Sequence, residues 1–181
     1  RLKNKNIKII NGKPLIYWTI KFAKKLKFKN KQIFVYTDSA KIINIANKND
    51  VLCPNIRPNY LSRSNTTSYI SAKHAIDWYQ KNISKVNCVI LFQPTSPFRS
   101  ILTYKKMYNI FVKQNLESIA SFSKKNNKIV PNGNTYINTL DNLNKFKNFT
   151  NQKTEKFIIK SKKEMIDIDS INDFNKAKKY F

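Results

Sequence analysis

A continuous apolar run passes directly into a rigid polar loop at residues 89–99, V-I-L-F-Q-P-T-S-P-F-R. Four successive apolar residues are typical of a strand that is buried on both faces of a sheet. Two prolines exclude a helix immediately afterwards, and the loop carries the polar side chains Gln93, Thr95, Ser96 and Arg99. Ligands of open α/β sheets bind beyond the carboxyl ends of the strands. The loop is therefore either the floor of a binding site or an ordinary connection between a strand and a helix.

Strands and helices alternate along the rest of the chain. Apolar residues recur at helical spacing in residues 15–26, 40–48, 67–81, 102–112 and 171–180. Apolar runs predict strands at residues 32–36, 51–53, 87–92, 118–123, 134–138 and 155–159, with a turn at 131–133. This alternation predicts an α/β fold whose parallel-rich sheet carries helices on both faces. We expect one domain over residues 1–181, since no flexible linker interrupts the chain.

The formal net charge of +25 is carried almost entirely by lysine, because arginine occurs at only four positions. The lysines are spread along the chain, which is also rich in asparagine and isoleucine. Proteins that read nucleic-acid sequence favour arginine for bidentate base contacts. We therefore interpret the charge as a compositional bias and do not expect a nucleic-acid role, with a polyanion-binding protein as the alternative. A field of this sign still attracts phosphorylated small molecules.

Several other features limit the class of protein. No apolar run is long enough to span a membrane, and no secretory leader opens the sequence. Cys53 and Cys88 lack the spacing of metal ligands, so we expect buried thiols in a reducing, cytoplasmic location. A single histidine, His74, excludes a His-rich metal site, and we expect it to be structural.

Two aspartates, Asp167 and Asp169, stand two residues apart in a chain with only ten acidic residues. On a strand they would project from the same face, with Ile166 and Ile168 facing the core. Two adjacent carboxylates repel each other unless a cation lies between them, and Mg²⁺ is a common solution. The alternatives are that both pair with nearby lysines or that Asp169 caps the following helix.

A long polar segment at residues 54–67 contains Arg57, which is followed by a proline. A segment of this length and polarity is typical of a lid or a binding loop. The alternative is that its end merely caps the next helix, through Asn65 or Thr66.

Short motifs also follow one another in a characteristic order. They are Lys5-Asn6, N-G-K-P-L-I at 11–16, Thr37-Asp38-Ser39, Arg57-Pro58 with Leu61, Thr66-Thr67-Ser68, Q-P-T-S-P-x-R at 93–99, Asn132-Gly133 with Tyr136, and Asp167-Ile168-Asp169. Together they resemble the acylneuraminate cytidylyltransferases, the family of CMP-sialic acid and CMP-nonulosonic acid synthetases. The set covers most of the chain, and Q-P-T-S-P-x-R is its most specific member.

That resemblance implies a three-layer, Rossmann-like nucleotidyltransferase fold with a mostly parallel mixed sheet. It also implies transfer of CMP from CTP to a nonulosonic (sialic-type) sugar acid, with Mg²⁺ as cofactor and release of pyrophosphate, in surface polysaccharide biosynthesis. The residues that match the family's nucleotide contacts are Asn6, Arg57, Ser68 and Gln93. The residues that match its sugar-acid contacts are Asn132 and Tyr136. Asp167 and Asp169 match its metal-binding and catalytic carboxylates.

The sequence departs from the family in two places. Members open with a strand and a basic loop of the type A-R-x-x-S-K, and Arg1 matches the end of that loop. We therefore expect the first strand and the phosphate grip to be missing. The segment that helps other members form a homodimer is reduced here to residues 124–130, and Val130 replaces a frequent arginine. A catalytically impaired, nucleotide-binding remnant is accordingly the alternative function.

Overall fold

The computed structural model describes residues 2–28, 32–54, 57–62, 65–125 and 127–181. Its helices are α1 (Leu15–Lys25), α2 (Ala40–Asn47), α3 (Ser68–Asn82), α4 (Ile101–Lys113), α5 (Leu140–Phe146) and α6 (Ile171–Lys178), with 3₁₀ turns at Lys5–Ile7 and Asn59–Ser62. Its strands are β1 (Ile9–Ile10), β2 (Lys13–Pro14), β3 (Cys88–Leu91), β4 (Ser118–Lys125), β5 (Lys128–Thr139) and β6 (Glu155–Ile158). Among the helices described, none combines the length and the apolar character that crossing a bilayer requires.

The central sheet has the strand order β3-β5-β4-β6. β5 runs antiparallel to both β3 and β4, whereas β4 and β6 are parallel, so β5 alone is reversed. Side chains of β3 alternate between the two faces: Val89 and Leu91 pack toward α3 and α5, and Ile90 packs toward α1 and α4. The predicted three-layer α/β architecture with a mixed sheet is confirmed.

The predicted strands at residues 32–36 and 51–53 are reduced to one parallel bridge between Phe34 and Leu52. Phe34 stacks on Trp78 of α3, with ring centroids 5.7 Å apart. In the part of the chain that is described, this bridge does not join β3, which therefore forms an edge of the central sheet. That edge position explains why the residues of β3 are half-buried or exposed, rather than buried on both faces as the sequence predicted.

The two cysteines, both free thiols, lie in different environments. Cys53 is buried beside α1 and α2, as predicted, and burial raises the pKa of its thiol to about 11. Cys88 is exposed. The prediction of a buried Cys88 is wrong because this residue opens the edge strand β3.

A bulge in β5 shapes the region beyond the carboxyl end of β3. Ala120 pairs with Tyr136 but Phe122 pairs with Pro131, so residues 132–135 stand opposite Ser121 alone. The predicted turn at residues 131–133 is therefore wrong: these residues lie inside β5, and Gly133 adopts a φ of 74°. The Ser121 hydroxyl holds the bulge by accepting from Thr135 N (2.8 Å) and donating to Asn132 Oδ1 (2.7 Å).

Candidate active site

The loop after β3 meets the bulge of β5 because the two strands are paired. Leu91 stands opposite Tyr136, so the chain leaves β3 directly beside residues 132–135. The Ser96 hydroxyl donates to the carbonyl of Asn132 at 3.2 Å, although the two residues are 36 positions apart. We call residues 93–97 the nucleotide-side loop and residues 132–135 the sugar-side bulge, after the roles that the sequence resemblance implies.

Arg99 contacts the backbone of both segments. Its guanidinium donates to the carbonyl oxygens of Gln93, Ser96 (2.6 Å), Gly133 (3.4 Å) and Asn134, and to the Thr19 hydroxyl of α1 (3.0 Å). Burial lowers the pKa of Arg99 to about 9, an effect that the Asp167 carboxylate opposes, so the side chain stays charged at neutral pH. Because these hydrogen bonds all go to protein atoms, the donors of Arg99 face the protein rather than a ligand.

Gly133 lets the Gln93 side chain lie against the bulge. A Cβ at this position would overlap Gln93 Oε1 and approach Ser96 Oγ to 3.3 Å. The positive φ of Gly133 adds a second reason for glycine, because L-residues rarely adopt it. The candidate nucleotide contact Gln93 is thus placed next to the candidate sugar contact Asn132.

Asn132 is buried at 5% relative exposure and has one unused donor. Its Oδ1 accepts from Ser121 Oγ and from the backbone N–H of Asn134 (3.2 Å). Its Nδ2 finds no hydrogen-bond partner in the described part of the protein. A buried donor without a partner is costly, so a ligand acceptor at this position would be favoured.

Tyr136 follows the bulge and is buried against Phe149, with ring centroids 5.9 Å apart. Burial raises the pKa of its phenol, and Gly133, Asp167 and Arg99 lie close enough to influence that pKa. Tyr136 therefore lies within electrostatic range of Asp167, and Asn132 precedes it by four residues in β5.

Asp167 lies beside the nucleotide-side loop. The backbone N–H of Ile168 donates to the Thr95 carbonyl (2.9 Å), and Ile166 and Ile168 are buried as predicted. The segment belongs to no strand. Burial raises the pKa of Asp167; the Thr95 side chain opposes this shift, and the charge of Asp169 adds to it. One carboxylate oxygen, Oδ1, is buried and has no hydrogen-bond partner among the described residues.

Asp169 is exposed and pairs with Lys5, whose Nζ lies 2.6 Å from Oδ1. Lys5 also lowers the pKa of Asp167, so one ammonium group influences both carboxylates. The cap of α6 is a capping box between Ser170 and Asp173, so Asp169 does not cap this helix through its side chain. Of the two alternatives to a metal site at Asp167 and Asp169, pairing with a lysine is therefore observed for Asp169, and capping of α6 by its side chain is not.

Asn6 follows Lys5 directly, and its Oδ1 is buried without a partner in the described structure. This position places the candidate nucleotide contact Asn6 next in sequence to the lysine that neutralises Asp169. Asn6, Lys5 and Asp169 therefore form one end of the candidate site, which we call the acidic end together with Asp167.

Arg57 and Ser68 belong to a different cluster. Arg57 donates to the Leu61 carbonyl (2.6 Å), and its guanidinium lies over the Tyr36 ring at 5.6 Å. Tyr36 in turn is hydrogen-bonded to His74 Nδ1 (2.8 Å), which gives His74 the structural role expected of it. These contacts connect Arg57 to the Phe34 bridge and α3, rather than to the loop and bulge.

Ser68 is the exposed first residue of α3. The cap of this helix is Thr67, whose hydroxyl accepts from the Ile70 N–H at 3.3 Å, so neither Asn65 nor Thr66 supplies it. Ser68 is therefore free of the capping role and is open to solvent.

A cavity of about 430 Å³ is lined by Arg99 and by Pro97 of the nucleotide-side loop, but not by Gln93 or Asn132. Trp18, Phe98 and Tyr180 line it, and Lys163 Nζ sits 5.0 Å from the centroid of the Phe98 ring. None of the candidate site residues lines this cavity. We therefore take the region between the nucleotide-side loop, the sugar-side bulge and the acidic end as the candidate site.

A family profile described as Cytidylyltransferase matches residues 1–167, a span that includes the loop, the bulge and Asp167. The chain belongs to the cytidylyltransferase family. The expected family membership is thereby confirmed.

Two relatives of this cytidylyltransferase-family chain have more specific names. It is 31% identical over 124 residues to the N-acylneuraminate cytidylyltransferase of Streptococcus agalactiae, covering 68% of this chain but only 29% of that protein. It is 26% identical to the CMP-N,N'-diacetyllegionaminic acid synthase of Legionella pneumophila, covering 96% of this chain and 88% of that protein. The chain thus spans less than a third of the length of its streptococcal relative.

A solved structure supports the same architecture. CMP:2-keto-3-deoxy-manno-octonic acid synthetase, in complex with CTP, superposes with a TM-score of 0.66 at 11% identity, covering 99% of this chain and 92% of that chain. At this identity the likeness shows the fold alone. The Rossmann-like nucleotidyltransferase fold of this family member is confirmed.

Some residues of the site could not be assigned from the sequence. Lys5 stands in the Lys5-Asn6 motif, yet its partner Asp169 is 164 positions away. Ser121 lies in a strand without a recognised motif, and only the register of β4 against β5 brings it to the bulge. Arg99 could be identified from its place in the Q-P-T-S-P-x-R motif, but the motif did not show whether its donors face the protein or a ligand.

Proposed function

We propose that this chain transfers CMP from CTP to a nonulosonic sugar acid and releases pyrophosphate. The observation that carries the proposal is the convergence of Gln93, Asn132 and Asp167 beyond the carboxyl end of β3 in a cytidylyltransferase-family chain. The named activities of its streptococcal and Legionella relatives favour an acceptor of the sialic type.

The nucleotide would lie against the loop. Gln93 has both a donor and an acceptor on its amide, as reading a pyrimidine edge requires. Asn6 offers an unpartnered buried oxygen, and Arg57 has a buried Nε without a partner in the described chain. We propose Ser68 as a further nucleotide contact because its hydroxyl stands exposed at the start of α3.

The sugar acid would lie against the bulge. The free Nδ2 of Asn132 can donate to an oxygen of the sugar, and we propose the phenol of Tyr136 as a second contact. Both substrates are anions, and the net charge of +25 would favour their approach.

Asp167 and Asp169 fit a hard divalent cation. Their donors are carboxylate oxygens, and Asp167 Oδ1 is buried without a partner. No cluster of three or more His, Cys, Asp or Glu side chains suited to a metal occurs among the described residues, so phosphate oxygens and water would complete the coordination. Bound Mg²⁺ would neutralise charge on the phosphates and acidify the attacking hydroxyl. Lys5 occupies Asp169 Oδ1, so a cation binding at this oxygen would compete with the lysine.

The reaction requires these residues to align the two substrates and to accept a proton. The anomeric hydroxyl oxygen forms a bond to the α-phosphorus while the bond from that phosphorus to the bridging oxygen breaks, and pyrophosphate leaves. Loop and bulge would align the two substrates for this in-line displacement. A carboxylate of the acidic end would accept the proton of the hydroxyl.

The test is pyrophosphate release from CTP and Mg²⁺ in the presence of a panel of nonulosonic acids, with Asp169→Asn as the control. Release with one acid, lost in the control, would support the activity and identify the acceptor. Absence of release with every acid, in a folded protein, would favour the nucleotide-binding remnant.

Location and assembly complete the proposal. We place the protein in the reducing cytoplasm because Cys53 and Cys88 are free thiols. A homodimer stays a proposal, and sedimentation at equilibrium measures it directly.

A further inference from the structure

We propose that Arg99 is a positioning residue that fixes the nucleotide-side loop against the sugar-side bulge, and this inference rests on the proposed function. Its guanidinium binds the carbonyl oxygens of Gln93 and Ser96 on one segment. It binds those of Gly133 and Asn134 on the other. One side chain thus joins the two parts of the site without facing the substrates.

The remaining connections between the two segments are few. Ser96 Oγ donates to the Asn132 carbonyl at 3.2 Å, and the Gln93 N–H reaches the Gly133 carbonyl at a long 3.4 Å. Without Arg99, four carbonyl oxygens would lose a charged donor; those of Gly133 and Gln93 would keep a backbone N–H, from Gln93 and Ser96. Leaving buried acceptors unpaired is costly. The guanidinium is suited to this position because it is planar and presents five donors in a fixed fork.

A lysine at position 99 cannot form the same set of contacts. An ammonium group keeps the charge but offers three donors around a single nitrogen, so it cannot span carbonyls on both segments. Arg99→Lys should therefore leave the paired strands in place while loosening the two segments and their relative position. In-line transfer depends on that relative position, and a misplacement of about 1 Å can cost on the order of 100-fold in rate.

Amide hydrogen exchange in the absence of ligands tests the positioning itself. The backbone N–H groups of Gln93, Ser96 and Asn134 report on the two segments because each is hydrogen-bonded within or between them. We expect faster exchange at these three amides in Arg99→Lys and unchanged exchange in the paired parts of β4 and β5. Unchanged exchange at the three amides, or faster exchange throughout the sheet, would overturn the proposal.

Kinetics then test its consequence. In Arg99→Lys we expect kcat to fall about 100-fold, while the Kd for CTP changes less than about threefold because the nucleotide-side loop still carries Gln93. A kcat equal to that of the wild-type protein would overturn the proposal, as would a loss of CTP binding as large as the loss of kcat. A wild-type protein that binds CTP but transfers nothing would instead refute the proposed function, and the exchange experiment would still test Arg99.

A matched serine pair covers the case in which Arg99→Lys does not fold. Ser96→Ala removes the hydroxyl that bonds the Asn132 carbonyl between the segments. Ser118→Ala removes a comparable buried bond to Thr154 at the far end of β4. We expect faster exchange at the Asn134 amide in the first variant only, and equal behaviour of the two variants would count against the positioning role.

Discussion

The loop–bulge contact and the acidic end differ in how far their polar groups are satisfied. Arg99 and Ser121 hydrogen-bond the backbone of loop and bulge and Asn132 Oδ1, which leaves Asn132 Nδ2 as the one buried side-chain atom of loop and bulge without a partner in the described chain. At the acidic end, Asp167 keeps an unpartnered buried oxygen and Asp169 relies on one exposed contact with Lys5. The first region is already built in the protein alone, whereas the second would be completed by a cation that the substrates bring with them.

The largest effect should come from filling the space at Gly133. Gly133→Ala introduces a Cβ that overlaps Gln93 Oε1 and puts alanine at a positive φ. The left-handed conformation alone costs about 1–2 kcal/mol, and displacement of Gln93 should weaken CTP binding by at least about tenfold. Thermal unfolding and calorimetric titration with CTP measure the two effects.

Gly12→Ala is the matched control for this variant. Gly12 has a similar φ of 71°, but no atom lies within 4 Å of the added Cβ. We expect a comparable loss of stability and unchanged CTP affinity. Equal CTP affinities in the two variants would show that the Gln93–Gly133 contact does not support nucleotide binding.

A smaller, opposite effect is expected when Lys5 is removed. Lys5→Met frees Asp169 from its ammonium partner, so binding of Mn²⁺ alone to the acidic end should tighten, by up to about fivefold for a salt bridge of this exposure. Lys73→Met, which breaks the pair with Asp77 on α3, is the control and should change nothing. Electron paramagnetic resonance of free Mn²⁺ gives the affinities, and weaker binding in Lys5→Met would contradict the competition between lysine and metal.

The smallest effect concerns the stability of the protein without ligands. Burial raises the folded-state pKa of Asp167 above its ordinary value of 3.8, so the native state binds more protons than the unfolded state as this carboxyl titrates. The free energy of unfolding contributed by Asp167 is therefore highest at low pH and falls as pH rises through the raised pKa. Asp167→Asn should remove this pH-dependent fall in the free energy of unfolding and raise the melting temperature at pH 7 by about 2–4 °C.

The exposed Asp77→Asn is the control for that experiment. The advantage of Asp167→Asn over the wild-type protein should grow between pH 4 and pH 7, because only the wild-type carboxyl becomes charged there. A variant that is less stable than the wild-type protein across this range would show that the ionised carboxylate already has a satisfactory partner.

Local sequence signals predicted most of the secondary structure. The helical spacing of apolar residues located α1 to α4 and α6 to within two residues. Alternation also predicted which residues flanking Asp167 are buried. These features depend on neighbours in the sequence, which is why periodicity is informative about them.

Long-range pairing accounts for what the sequence did not predict. The P-N-G run has the composition of a turn, yet the pairing of β4 with β5 makes it a bulge inside a strand. The short bridge at Phe34 and the edge position of β3 likewise depend on which segments lie side by side. The direction of Arg99 toward the protein depends on four carbonyl oxygens that two segments of backbone bring together, which the sequence did not show.

The most direct measurement is calorimetric titration of the wild-type protein and Asp169→Asn with CTP, each in the presence and absence of Mg²⁺. A nucleotide site completed at the acidic end predicts binding of one CTP per chain that requires Mg²⁺ and weakens at least about tenfold in Asp169→Asn. CTP binding of equal strength in all four titrations would contradict the account.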